Sequence, residues 1–299
     1  MTELPAKPLT GAALPTPRPA PARRGAPMPA WVRQRPELVV GGAILIAMVL
    51  TALLAPYLAA ADPRALSVAD RLLPRSGQHP FGTDQFGRDL YARTLHGARI
   101  SLAVGSASAL LSCTLGTVFG LVSAATRASD AIMMRIMDGL MSIPPVLLAI
   151  ALVGATGGSI LTVIAAVVLV ETPRVARLVR GLALSLREQT YVQAAVAAGT
   201  PGWRILWRHI LPPVVSPVSV QFAFVFAAAM LIEAALSFIG AGIPPSTPSW
   251  GNMMADAKAL WQVDPGLIFI PAVFLSVSVL GVNLIGRGVS RALDPKGRH

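Results

Sequence analysis

With 299 residues, of which 54% are hydrophobic and only 13% charged, and a mean hydropathy of +0.63, the chain is too apolar for a soluble globular domain. Its net charge of +11 suggests nucleic-acid binding in a soluble protein, but here the basic residues are sorted by segment and mark membrane topology, so no nucleic-acid partner is expected. The chain lacks a Gly-x-x-x-x-Gly-Lys-[Ser/Thr] phosphate loop, a His-Glu-x-x-His site and a Gly-x-Ser-x-Gly elbow, which excludes the usual ATPase, zinc-protease and serine-hydrolase chemistries.

Residues 1–37 are rich in Pro and Ala with interspersed Arg, a composition that cannot bury a core and reads as a disordered cytoplasmic arm. Spanning about 30 Å of hydrocarbon takes roughly 20 apolar residues, and residues 38–61 supply the first such run. A signal peptide is the competing reading, because Ala59-Ala60-Ala61 resembles a cleavage site, but the apolar run is too long for one. In the loop over 62–99, FGTDQFGRDLYARTLHGA opens on a glycine turn and then turns helical. Asp84 and Arg88, and Asp89 and Arg93, stand four apart, which predicts a surface helix.

Residues 100–126 form the second predicted span, which holds the single cysteine, Cys113, as a packing residue. The uncharged run over 139–170 is punctuated by Gly154-Ala155-Thr156-Gly157-Gly158, so it reads as the end of one span, a tight turn and the start of another. That fourth span, about 159–178, is crowded in its second half by Glu171, Pro173, Arg174 and Arg177. Runs beginning near Val214 and Leu267 bring the number of spans to six. Basic residues before the first span, around 174–208, and after the last at 291–299 then share the cytoplasmic side, with both termini inside.

The polar interruption over 187–213 predicts two short helices. Thr190 fits an N-cap with Gln193 at the capping-box position, and Gly199 supplies a left-handed terminator. Thr200 and Pro201 fit the N-cap and first residue of the second helix. Beyond the fifth run, a Pro-rich loop precedes an amphipathic helix over 243–262, with Trp250 and Trp261 suited to a membrane interface. Intramembrane charge needs a local explanation. Glu171 has one in Arg174, a helical turn away, whereas Glu233 has no obvious neighbour. The four histidines are scattered without ligand spacing, so no metal site is expected.

Four ordered stretches carry a family resemblance: GTDQFGRD at 82–89, QAAVAAG followed by ILP, EAALSFIGAGIPPSTPSWGNM at 233–253, and RALDP at 291–295. With them the chain resembles an inner-membrane permease subunit of binding-protein-dependent ABC importers, of the dipeptide, oligopeptide and nickel branch and the DppC/OppC type. The resemblance implies an all-α, six-span membrane protein of the type I importer permease fold, in which the first span over 38–61 precedes a five-helix permease core over 100–290. It also implies a coupling helix built on Gln193, Ala194, Ala195, Gly199, Ile210, Leu211 and Pro212, which docks on a separate ATPase. Gln193 stands where the family motif has Glu, which keeps hydrogen bonding but removes a charge.

By the same resemblance Glu233 faces either the translocation pathway or a partner subunit, and Asp84, Arg88, Asp89, Trp250 and Asn252 are candidates for periplasmic docking. The implied partners are a second permease, two ATPase subunits carrying ATP and Mg, a substrate-binding protein and membrane lipid. The chain itself is then a non-catalytic subunit in a bacterial inner membrane, serving di- or oligopeptide uptake. An ion-gradient-driven carrier is the rival reading. Carriers often show internal repeats and paired broken helices, and no convincing repeat is visible here.

Overall fold

The computed structural model describes residues 36–59 and 61–293. Apart from their inner edges, the expected arm over 1–37 and tail over 291–299 therefore lie outside the described residues. In chain order the helices are α1 (Pro36–Leu58), α2 (Leu90–Ser123), α3 (Arg127–Met141), α4 (Pro145–Thr156), α5 (Ile160–Arg187), α6 (Thr190–Ala197) and α7 (Gly202–Ile205). A π-helical turn, Leu206–Ile210, leads into α8 (Leu211–Phe238), followed by α9 (Trp250–Ala257) and α10 (Gly266–Leu293). No strand occurs among the described residues; one isolated bridge joins Thr83 and Asp89.

Four stretches are long and apolar enough to cross a membrane: Pro36–Leu58, Leu90–Ser123, Gly202–Phe238 and Gly266–Ala292. The pair α3 and α4 makes a fifth only if a helix bent by 87° counts as one span. The count of six is thus not reached on apolarity. α5 is 28 residues long, but Glu171, Arg174, Arg177 and Arg180 all lie on it, so it is an amphipathic helix with charged flanks rather than an apolar rod.

The bend before α4 also differs from the sequence expectation. The break falls at Ser142 to Pro144, because Pro144 lacks an N–H and disfavours helical backbone at Ile143, and Pro145 restarts the helix at its first position. The predicted glycine turn is realised only at its end. α4 runs through Gly154 to Thr156, Gly157 takes φ 84°, and the Ser159 hydroxyl accepts from Thr162 N at 3.1 Å to open α5. Pro173 does not end α5, which continues to Arg187.

α2 is the central helix and packs along α5, α8 and α1. Its face toward α5 carries Gly116 and Gly120, where a Cβ would meet Val175 and Ala176 or Ala176 and Val179, so the two backbones touch closely. Beyond α5, Arg180 and Asp130 pair twice across to α3, at 2.5 and 2.7 Å. Arg187 reaches the carbonyl of Ala125 at 3.0 Å. These ties hold the α3 end beside the base of α6.

Candidate functional site

The short helix α6 stands on one buried side chain, Val192, and exposes Gln193, Ala194, Val196 and Gly199, with Ala195 half-buried. Its start departs from the capping box read in the sequence. Gln189 is the N-cap, in extended backbone and without a side-chain bond, and Thr190 is already helical. Thr190 therefore cannot fold back as a cap. The Gln193 amide instead donates to the carbonyl of Arg187 at 2.8 Å.

Its end is the left-handed stop expected. Gly199 has φ 76°, Thr200 N donates to Ala195 O at 3.1 Å, and Gly199 N donates to Val196 O at 2.9 Å, the paired bonds of a Schellman motif. The next helix begins one residue later than expected, with Pro201 as N-cap and Gly202 first. Nor is it a separate element. α7, the π turn and α8 run on from Gly202 to Phe238, so Ile210 is buried inside a continuous helix and Leu211 and Pro212 start its long α-helical part. On α6 Tyr191 and Val196 are exposed, and just beyond it Trp203 is 63% exposed; Trp207, 62% exposed, lines a cleft between α2 and α8 instead.

At the other end of α2, the residues 82–89 are a bridged turn, not a surface helix. Asp89 caps α2 by accepting from Ala92 N at 2.7 Å, while its other oxygen meets His79 Nδ1 at 2.7 Å, so the Asp89–Arg93 pair does not form. Arg88 does pair with Asp84, Nε to Oδ2 at 2.6 Å, and its Nη2 donates to Asp256 on α9 at 2.7 Å. Arg93 is 1% exposed; its Nη2 donates to Asp256 at 3.3 Å and its Nε lies 3.7 Å from Asp84. Two arginines and two carboxylates thus lock the first loop onto α9 inside the protein.

Trp250 corrects the interface expectation. It is fully buried, and its indole N–H donates to Thr94 O at 3.1 Å. Asn252 is equally internal, its amide donating to the carbonyls of Ile243, Pro244 and Thr247 at 3.0 to 3.1 Å. All five residues named for docking, Asp84, Arg88, Asp89, Trp250 and Asn252, are buried and shape the loops rather than offering free side chains. Only Trp261, of the two tryptophans, is open at 57%.

Glu233 lies in the chain's own core with no exposed surface. Ser237 and Ser101 donate to its two oxygens at 3.0 and 3.3 Å, and those same hydroxyls accept from Ile243 N and Trp250 N, each at 3.4 Å. Glu233 therefore anchors both ends of the 243–250 loop through two serines, an arrangement that has no local sequence signal. Glu171 is hydrogen-bonded to Arg174, as its spacing suggested. Removing the acceptors in Glu233→Leu should lower stability by about 1–3 kcal/mol, whereas Glu233→Gln, which keeps one, should lose less. Thermal unfolding of the detergent-purified chain measures the order, and equal midpoints for the two variants would contradict it.

Residues 116–299 match the family model described as binding-protein-dependent transport system inner membrane component. The chain belongs to this family. It is 47% identical over 267 residues to the probable peptide ABC transporter permease protein of Sinorhizobium fredii (strain NBRC 101917 / NGR234), covering 89% of this chain and 91% of that one. It is 38% identical to the dipeptide transport system permease protein DppC of Alkalihalophilus pseudofirmus, over 86% of this chain and 85% of that one. With the oligopeptide transport system permease protein OppC of Bacillus subtilis the identity is 36%, over 87% and 86%. An inward-facing crystal structure of the MetNI methionine ABC transporter is similar in fold, with a TM-score of 0.55 at 18% identity over 67% of this chain and 96% of that one. This inner membrane component is therefore an integral membrane protein, and the family match begins inside α2 and takes in α6.

Proposed function

We propose that this chain is the transmembrane permease subunit of an ATP-driven, binding-protein-dependent importer for di- or oligopeptides, and that α6 is its docking helix for a separate ATPase. The observation that carries the reading is α6 itself: a short helix with a single buried anchor and an alanine-rich exposed face, on which Tyr191 and Val196 are exposed, with Trp203 exposed just beyond it. Such a surface is costly to leave in water and fits a groove on a partner. The names of the peptide, dipeptide and oligopeptide relatives support the substrate class.

In this reading α5 crosses the membrane as well, its charges held by Asp130, Asp138 and Glu171, and six spans leave both termini on the cytoplasmic side with α6. ATP and Mg are bound by two ATPase subunits, and a second permease completes the pathway that an extracytoplasmic binding protein loads. ATPase closure moves α6, and because Gly202 to Phe238 is one helix, that displacement reaches α8 as a rigid-body shift without chemistry in this chain. Gln193 contributes hydrogen bonding at the dock, and Ala194 and Ala195 allow close approach.

The test is Gly199→Val in the assembled complex. A Cβ at Gly199 would meet nothing within 4 Å, so the substitution is opposed by its left-handed backbone alone, at about 1–2 kcal/mol. Membrane levels of the chain should stay unchanged while ATP-driven uptake of labelled dipeptide falls several-fold. Gly202→Val, in open space at ordinary backbone angles, is the control. Normal uptake by Gly199→Val would remove α6 from energy coupling, and gradient-driven uptake by the chain alone would favour a secondary carrier.

A further inference from the structure

A cavity of about 830 Å³ opens between α1 and α2, in the size range of roughly 300–1,000 Å³ typical of small-molecule sites. One wall is α1, where Leu45, Val49 and Leu53 follow one another along about 12 Å of helix, and Phe226 of α8 contributes to the lining. Val49 and Leu53 are 40% and 63% exposed, so the trough opens on the face that α1 turns toward lipid.

The polar rim carries Asp62, Arg64, His96 and Arg99. These residues follow the end of α1 or precede the uncharged run of α2, which puts them at one membrane boundary. Arg64 and Arg99 are exposed, and among the described residues neither forms an ion pair. The one carboxylate on the rim is engaged locally, because Asp62 Oδ1 accepts the backbone N–H of Arg64 at 2.9 Å. An apolar trough ending in two free guanidinium groups complements a phosphate ester attached to a hydrocarbon chain.

We propose that this cavity is a site for one anionic glycerophospholipid, its phosphate held by Arg64 and Arg99 and an acyl chain laid along Leu45, Val49 and Leu53. Charge complementarity selects the occupant. A neutral transmembrane helix from another subunit would leave both arginines without an acceptor. A zwitterionic lipid would bring a cationic group to the same rim. The site goes beyond the transport reading, since it concerns the solvent of the subunit and not its cargo, and it is tested without uptake.

The full-length chain, purified in mild detergent and stripped of lipid, is titrated with phosphatidylglycerol, phosphatidylcholine or inorganic phosphate and read by native mass spectrometry. A one-to-one phosphatidylglycerol adduct is expected, at least tenfold more abundant than the phosphatidylcholine adduct at equal concentration. Arg64→Gln with Arg99→Gln should erase that preference; both side chains are exposed, so folding is not at stake. Val49→Trp, which fills the trough and leaves the arginines in place, should remove the adduct altogether. Equal phosphatidylglycerol retention by the double variant overturns the proposal. So does full displacement by inorganic phosphate, which would mark a free-anion site, or quantitative cross-linking of Leu53→Cys to another subunit, which would mark a protein-covered cleft.

Discussion

Replacing Gly120 with leucine is expected to leave almost no folded protein in the membrane. A Cβ at this position would lie 2.6 Å from the carbonyl oxygen of Ala176 and 2.7 Å from Val179 Cβ. The carbonyl belongs to the backbone of α5 and cannot swing aside as a side-chain tip can. Four residues earlier, a Cβ at Gly116 would lie 2.5 Å from Val175 Cβ and 3.0 Å from Ala176 N, so the two helices could separate only by opening the whole seam. Overpacking of a well-filled interface costs about 1–3 kcal/mol for small intrusions, and an isobutyl group driven against backbone exceeds that range.

Gly181 on α5 is the matched control. A Cβ there would meet nothing within 4 Å, so Gly181→Leu should accumulate normally and gain slightly in helix propensity. The measurement is the monodisperse fraction of tagged protein on size exclusion after mild-detergent extraction. Wild-type recovery of Gly120→Leu would show that α2 and α5 are not apposed as described.

The second large effect is expected from Arg93→Ala. Arg93 is almost wholly buried and shares Asp84 and Asp256 with Arg88. Its removal leaves two carboxylates to one guanidinium in a largely dry site, and breaking a buried pair by deleting one partner costs about 3–5 kcal/mol. Asp256 keeps a side-chain exposure of 20%, which allows water to offset part of that, so a loss near the lower end is expected. Arg93→Lys should rescue little, because a single ammonium cannot fork toward two carboxylates. Thermal unfolding gives the size of the loss, and limited proteolysis locates it: cleavage between α1 and α2 should rise before cleavage elsewhere. An unchanged midpoint together with an unchanged digestion pattern would deny the cluster its role in joining the first loop to α9.

The spans were legible wherever an apolar run exceeded the length needed to cross a bilayer, as in α1, α2, α8 and α10. Legibility failed where a different force set the geometry. Hydropathy cannot see an 87° bend, although the Pro144-Pro145 pair carried the signal. The spacing of four between Asp84 and Arg88 suits a helix, yet Gly82 and Gly87 take φ 81° and 72°, which turns the segment back on itself instead. Trp250 looks the same in sequence whether it lies at an interface or in a core; the Thr94 carbonyl that receives its N–H decides the matter. Gly199 was legible because its conformation is a property of the local chain. Glu233 and Asp256 were not, because their partners lie on other elements: Ser101 is 132 residues from Glu233, and Arg93 is 163 residues from Asp256.

That last separation has a consequence in time. Residues 84–93 leave the ribosome early, but the carboxylate of Asp256 that completes their charge cluster follows 163 residues after Arg93. At about 5–20 residues per second, the interval is roughly 8–33 s. Throughout it the two arginines have only Asp84 between them, so the loop near the start of the chain is among the last parts of the protein to set.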